Sequence, residues 1–205
     1  MLEWQRAMER NDDRFSNLDA VLAHAWSLLE RGAADASSGM HYPVFATRGL
    51  DDLPNARTVL LWRADPAHRT LYFHTDARSP KHAELKRLPW SLLVFYDPRA
   101  ETQLRIHASI HMHSDEELTR RAWDDLPAEV RRVFATAEPP GHASSGPMPT
   151  PAPAGSAAET AYRNFVLLEA KVAHLDWLHF AHTGHRRAAF TWTAAEELQS
   201  TWLYP

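Results

Sequence analysis

Residues 70–87 read TLYFHTDARSPKHAELKR, and the reading of the whole chain turns on them. Leu71, Tyr72 and Phe73 form a short apolar, aromatic-rich run of the kind that makes a strand, ending at His74 and Thr75. Asp76-Ala77-Arg78 has the composition of a turn. Ser79-Pro80 then carries the signature of a helix start, a hydroxyl at the N-cap followed by proline at the first helical position. The helix is expected to run to about Leu88, where Pro89 stops it. Thr75, Arg78, Ser79 and Lys81 are thereby gathered around one helix N-terminus. Free backbone N–H groups and the positive dipole end favour an anion there. Two cations and two hydroxyls suit a phosphate; the alternative is an ordinary Ser-Pro cap that holds nothing.

The segment just upstream, ARTVLLWR at residues 56–63, favours the anion. Arg57 opens an apolar run read as one buried strand over residues 57–63, and a buried arginine needs an anionic partner. Residues 42–49 make a first strand, 50–55 a turn, 65–68 a second turn, and 92–96 (LLVFY) a further buried strand closed by Asp97-Pro98. Strands joined by such short turns argue for an antiparallel meander or barrel, not for βαβ units.

Residues 103–113 alternate most cleanly. Leu104, Ile106, Ala108, Ile110 and Met112 share one face; Gln103, Arg105, His107, Ser109, His111 and His113 share the other. Three histidines at spacings of two and four invite a metal. No carboxylate shares that strand face, so no metal site is assigned, and His107, His111 and His113 are read as exposed or interface residues.

With 205 residues the chain suits a single domain that buries roughly 70% of its unfolded surface. A composition of 44% hydrophobic and 23% charged residues with net charge −4 gives no reason to expect nucleic acid or an anionic membrane as partner. The absence of cysteine excludes disulfides, thiolate metal sites and cysteine nucleophiles. No long apolar run or signal-peptide pattern is seen, which makes a cytoplasmic location the expectation.

Residues 1–38 read as a helical segment whose stripe of Leu18, Val21, Leu22, Ala25, Leu28 and Leu29 serves packing, capped by Asn17 or Asp19 and ended by Gly32. Helices are expected over 115–124 and 127–136. Residues 138–160, rich in Pro, Ala, Ser and Gly, read as a long flexible loop. A strand over 164–175, a turn at 182–185, a strand over 186–192 and a short closing segment complete the chain.

The segments ARTVLLWR and LYFHTDARSPKHAEL, in this order, resemble the pyridoxamine 5'-phosphate oxidase-like family of FMN-binding split barrels. Gln103-Leu104-Arg105-Ile106 is similar to the family's glutamine-containing strand. Trp177 and Arg187, ten residues apart, are similar to a Trp and Arg that close the flavin site, and Trp202-Leu203-Tyr204-Pro205 to a terminal Leu-x-Pro. The resemblance implies a mainly β fold with flanking helices, a split antiparallel β-barrel of Greek-key type. It implies FMN as cofactor and a homodimer with the FMN sites at the subunit interface. The cofactor-binding residues would be Arg57, Thr58, Val59, Leu60, His74, Thr75, Arg78, Ser79, Lys81, Gln103, Trp177 and Arg187. The implied activity is FMN-dependent oxidation or reduction of a small molecule. The alternative is a flavin- or haem-binding split barrel without oxidase turnover, which the thirteen histidines keep open.

The departures fall on the substrate side. Trp62 stands where the oxidases carry a substrate-binding lysine, His74 where they have a flavin-contacting aromatic, and Pro80 where an arginine precedes the lysine. Of a C-terminal Arg-x-His pair, His185 is matched and Thr183 replaces the arginine. The Tyr, Arg and Ser that bind the substrate phosphate have no counterpart within residues 114–138. Trp62 and His185 remain as substrate-side residues, and no catalytic residue is assigned.

Overall fold

A computed structural model describes residues 15–114, 117–147, 157–181 and 184–205. Its framework is one nine-stranded antiparallel sheet: β1 (Val44–Arg48), β2 (Pro54–Thr58), β3 (Leu61–Asp65), β4 (Thr70–Asp76), β5 (Trp90–Asp97), β6 (Thr102–His113), β7 (Phe165–His179), β8 (Arg186–Trp192) and β9 (Leu198–Leu203). The strand order is β2-β1-β5-β6-β7-β4-β3, with β8 on β7 and β9 on β8. The split lies in β7. Its first half, from Phe165 to Lys171, pairs with β4, its second half, from His174 to His179, pairs with β8, and both halves pair with β6. A mainly β, split antiparallel barrel was the sequence-based expectation, and this is the fold.

Helix α1 (Leu18–Ala34) covers one face. Asn17 caps it by accepting a hydrogen bond from the Ala20 N–H at 2.8 Å, and its stripe of Val21, Ala25, Leu28 and Leu29 is buried. Gly32 does not end this helix. It lies within it because Met40 packs there, and a Cβ at Gly32 would meet the Met40 Cβ at 2.6 Å. Residues 1–14 of the expected N-terminal helical segment lie outside the described residues.

β4 reads as apolar throughout because both of its faces are covered. Leu71 and Phe73 face the main core with Phe45, Leu93, Leu104 and Trp177. Tyr72 faces a second core with Trp123, Phe134, Tyr162 and Phe165. Three short helices build that second layer: α3 (Glu117–Asp124), α4 (Ala128–Arg131) with a 3-10 turn at Arg132–Ala135, and α5 (Ala157–Asn164). The remaining helix, α2 (Pro80–Arg87), follows β4. No helix among the described residues is long and apolar enough to cross a membrane.

The chain departs from the sequence-based expectation at several boundaries. Residues 57–63 are not one strand. β2 ends at Thr58 on one edge of the sheet, and β3 begins at Leu61 on the other. The Val59 and Leu61 N–H groups between and after them bond the carbonyls of Pro43 and His41, at 3.1 and 2.9 Å. The apolar run therefore crosses between edges, which no local pattern announces. β2 begins at Pro54, inside the expected turn, where an edge strand tolerates proline. The expected loop over 138–160 ends earlier, because α5 starts at Ala157; residues 148–156 lie outside the described residues. β7 runs on to His179 and so contains Trp177.

Candidate functional site at the start of helix α2

β4 delivers the chain to α2 through a tight turn. Asp76 accepts from the Arg78 backbone N–H at 2.8 Å, and the Ser79 N–H bonds the Asp76 carbonyl at 3.0 Å. Ser79 has N-cap backbone geometry, yet its side chain makes no capping bond. Its buried hydroxyl lies 3.1 Å from that of Thr75, and Lys81 Nζ donates to the Thr75 hydroxyl at 3.0 Å. Three of the expected site residues thus meet at one helix start.

Lys81 is half-buried, and among the described residues no carboxylate forms an ion pair with it. Burial, and then the neighbouring Arg57 charge, push its ammonium below the usual lysine value, against the pull of Asp76 and Glu84.

Arg57 reaches this group from the edge strand β2. Its Nη1 donates to the Thr47 hydroxyl and to the Phe45 carbonyl (3.3 Å), and its Nη2 to Glu84 Oε2 at 2.9 Å. Glu84, on α2 one turn beyond Lys81, is buried. It also accepts from the Thr47 hydroxyl at 2.6 Å and from Asn55 Nδ2 at 2.7 Å. Burial pushes its carboxyl upward; the Thr47 and Asn55 hydrogen bonds and the Arg57 charge outweigh that and hold it below the ordinary glutamate value. Arg57 is thus partly buried, and the chain itself supplies it with an anion in Glu84. Glu84, Thr47 and Asn55 were not singled out from the sequence. The one available signal was the i, i+3 spacing of Lys81 and Glu84, which puts both on one face of the helix.

Arg78 is engaged elsewhere. Nε and Nη2 fork onto Asp76 at 3.0 and 2.8 Å, and Nη1 donates to the Thr136 carbonyl at 2.8 Å. It ties the turn to the second layer, and each of its side-chain nitrogens has a partner. Thr58 and Leu60 are exposed and Val59 is partly buried, all at the β2 end where the chain crosses between edges.

His74 does not join Thr75. Strand alternation turns it to the opposite face of β4, between the rings of Trp62 and Phe165, each at 5.3 Å. Burial pushes its imidazole down to about 4, and its Nε2 is buried without a partner. Trp62 and His74 are thus brought together, on the second-core side.

Gln103 lies on the outer sheet face in one row with Leu178 and Arg187. Arg187 forks onto Asp176 at 3.0 and 2.6 Å, with Arg105 Nη1 3.6 Å from the same carboxylate. Trp177 faces the other way. It is 0% exposed in the main core, against Phe15 at 5.0 Å and stacked on His179 at 5.7 Å. The ten-residue spacing of Trp177 and Arg187 therefore does not bring them together within one chain, since strand register pairs Trp177 with Ala188. His185 precedes β8 and lines, with Arg187, Trp202 and Leu203, a cleft of about 480 Å³. Of the three histidines on β6, His107 lies 5.6 Å from His174, His111 lies 4.4 Å from His113, and His113 pairs with Glu169 of β7 at 2.7 Å. The carboxylate missing from the strand comes from its neighbour. Among the described residues no three side chains converge on a metal position.

The family profile described as pyridoxamine 5'-phosphate oxidase matches residues 39–150, more than half of the chain. Pyridoxine/pyridoxamine 5'-phosphate oxidase of Thermosynechococcus vestitus is 42% identical over 104 residues, 45% of this chain and 48% of that protein. Pyridoxine/pyridoxamine 5'-phosphate oxidase 2 of Arabidopsis thaliana is 33% identical over 90 residues, 42% of this chain and 46% of that one. The chain spans about half of these curated relatives. Among solved structures, a pyridoxamine 5'-phosphate oxidase-related, FMN-binding protein of Nostoc punctiforme superimposes with a TM-score of 0.71 at 20% identity, covering 89% of this chain and 96% of that one. PhzG of Burkholderia lata, in complex with tetrahydrophenazine-1-carboxylic acid, superimposes at 0.66 with 17% identity, covering 92% and 90%. These two likenesses are of fold. On the family profile, the chain belongs to the pyridoxamine 5'-phosphate oxidase family.

Proposed function

We propose that this chain is an FMN-dependent oxidoreductase that holds the cofactor phosphate at the start of α2. The observation that carries the reading is Lys81, a half-buried ammonium without a carboxylate partner among the described residues. It stands in the first turn of a helix whose N-cap hydroxyl is turned away from capping. A dianionic phosphate suits that position, because helix-end N–H groups, the Thr75 and Ser79 hydroxyls and Lys81 all favour negative charge. Arg57 adds an oriented donor. When bound, the flavin supplies the hydride chemistry, and the chain supplies binding, orientation and exclusion of water.

The reading includes a homodimer. Gln103 and Arg187 sit on β6 and β8, apart from the α2 group, on a sheet face that exposes Val44 (41%), Trp90 (45%) and Tyr96 (50%). A second copy of the chain seated on this face would cover that apolar surface and bring Gln103 towards the partner's phosphate grip. Trp62 gives the substrate side an aromatic wall where the related oxidases have a cation. This favours a planar substrate that does not rely on a phosphate. A flavin carrier without turnover is the second reading, and haem remains the discriminating ligand. The visible spectrum of the purified protein, with release and identification of the bound flavin, tests the reading. FMN at about one per chain supports it, and a haem spectrum or failure to take up FMN overturns it. Reduction of bound FMN by a substrate, followed by reoxidation, separates the enzyme from the carrier.

A further inference from the structure

We infer that Thr47 is a positioning residue of the phosphate grip, whose hydroxyl joins Arg57 to Glu84 and so aims the guanidinium at the α2 start. The inference rests on the reading that this helix start holds the FMN phosphate. Arg57 projects from an edge strand, and a long side chain there loses rotamer freedom when it is fixed on a ligand. In this protein the fixing is done beforehand. Nη1 is held by the Thr47 hydroxyl and the Phe45 carbonyl, and Nη2 by Glu84 Oε2. The Thr47 hydroxyl spends its own proton on Glu84 at 2.6 Å while accepting from Arg57, so one buried oxygen locks both partners. Asn55 holds the other oxygen of Glu84 at 2.7 Å. Among the described residues, Nε and the second hydrogen on Nη2 of Arg57 are left without a bond.

This arrangement divides the work between the two cations. Glu84 balances the charge of Arg57, which therefore acts as an oriented donor. Lys81 forms no ion pair among the described residues, and its charge supplies the electrostatic attraction. Losing Thr47 should then cost geometry and leave the charge as it is.

The test titrates FMN and riboflavin into apoprotein of wild type, Thr47→Val, Thr47→Ser and Lys81→Ala at two salt concentrations. Thr47→Val keeps size and charge. It should weaken FMN about 2- to 10-fold, the range of one net hydrogen bond, with an unaltered salt slope and unaltered riboflavin affinity. Thr47→Ser should restore FMN affinity. Lys81→Ala should weaken FMN more and flatten its salt dependence. Should Thr47→Val fold poorly, Asn55→Leu loosens the same clamp from its other side and should give the same FMN-specific loss. Equal losses for FMN and riboflavin, or unchanged FMN affinity in Thr47→Val while Lys81→Ala is weakened, would overturn the inference and leave the phosphate site standing. Unchanged FMN affinity in Lys81→Ala would remove the phosphate site itself, and the inference with it.

Discussion

Replacing Glu84 by alanine should destabilise the flavin-free protein by about 3 kcal/mol. The side chains of Glu84 and Arg57 are 3% and 21% exposed and meet at 2.9 Å. Removing one member of a buried ion pair costs roughly 3–5 kcal/mol, mostly because the other charge is left without compensation. The low end applies because Arg57, one-fifth exposed, can recover some hydration. Thr47 and Asn55 lose their acceptor in the same step, which argues against a smaller figure. For a chain of this size each kcal/mol moves the melting temperature by about 2–4 °C, so a fall of about 6–12 °C is expected. The pH dependence has a definite sign. The folded Glu84 carboxyl titrates below its unfolded value of 4.5, so its stabilisation is complete above that pH and is lost as the pH falls through the folded value. The gap between wild type and variant should therefore close in acid. Thermal unfolding followed by tryptophan fluorescence at pH 7 and across the acid range measures both. A shift below about 2 °C at pH 7, or a gap that stays constant into acid, would refute the claim that Glu84 is the buried anchor of Arg57.

Three further outcomes are expected. His74 is held neutral by burial at about 4, so wild-type stability should decline as the pH falls from about 6.5 towards 4, by about 2–3 kcal/mol from this group; His74→Phe should lose that component, as urea unfolding at several pH values will report. Light scattering at micromolar concentration should give twice the chain mass, because Val44, Trp90 and Tyr96 otherwise leave an apolar sheet face in water; a monomer that binds FMN fully would count against the shared site. Pyridoxamine phosphate should be oxidised far below about 10 per second, the median for enzymes, since Trp62 offers its phosphate no charge where the oxidases carry a lysine; turnover near that rate would restore the ordinary oxidase assignment.

The parts of this structure that could be read from the sequence are those whose signals are local. The α1 stripe, the alternation of β6 and the Ser-Pro start of α2 each lie within one element, and the structure has all three. What escaped depends on partners distant in sequence. Val59-Leu60-Leu61 reads as strand interior, although the chain there passes from one sheet edge to the other and bonds residues 41–43. Glu84 resembles any solvated helix carboxylate until Thr47, Asn55 and Arg57 close round it from β1 and β2. The resemblance pairs Trp177 with Arg187, yet strand parity within β7 and β8 turns one to the core and the other to the outer face of a single chain. At the α2 start, Thr75, Ser79 and Lys81 converge as expected. Arg78 reads as a member of that group from its place beside the helix start, but its turn geometry aims it at Asp76.

The central claim is that the α2 start holds a phosphate, and the affinity difference between FMN and riboflavin isolates that group. Fluorescence titration of both flavins into wild-type apoprotein and Lys81→Ala measures it directly. Wild type should bind FMN at least about 10-fold more tightly than riboflavin, and Lys81→Ala should lose about 10- to 100-fold for FMN while riboflavin is little changed, the span of one charge-assisted contact. Equal affinity of wild type for the two flavins would contradict the claim and leave Ser79 and Lys81 as an ordinary helix start.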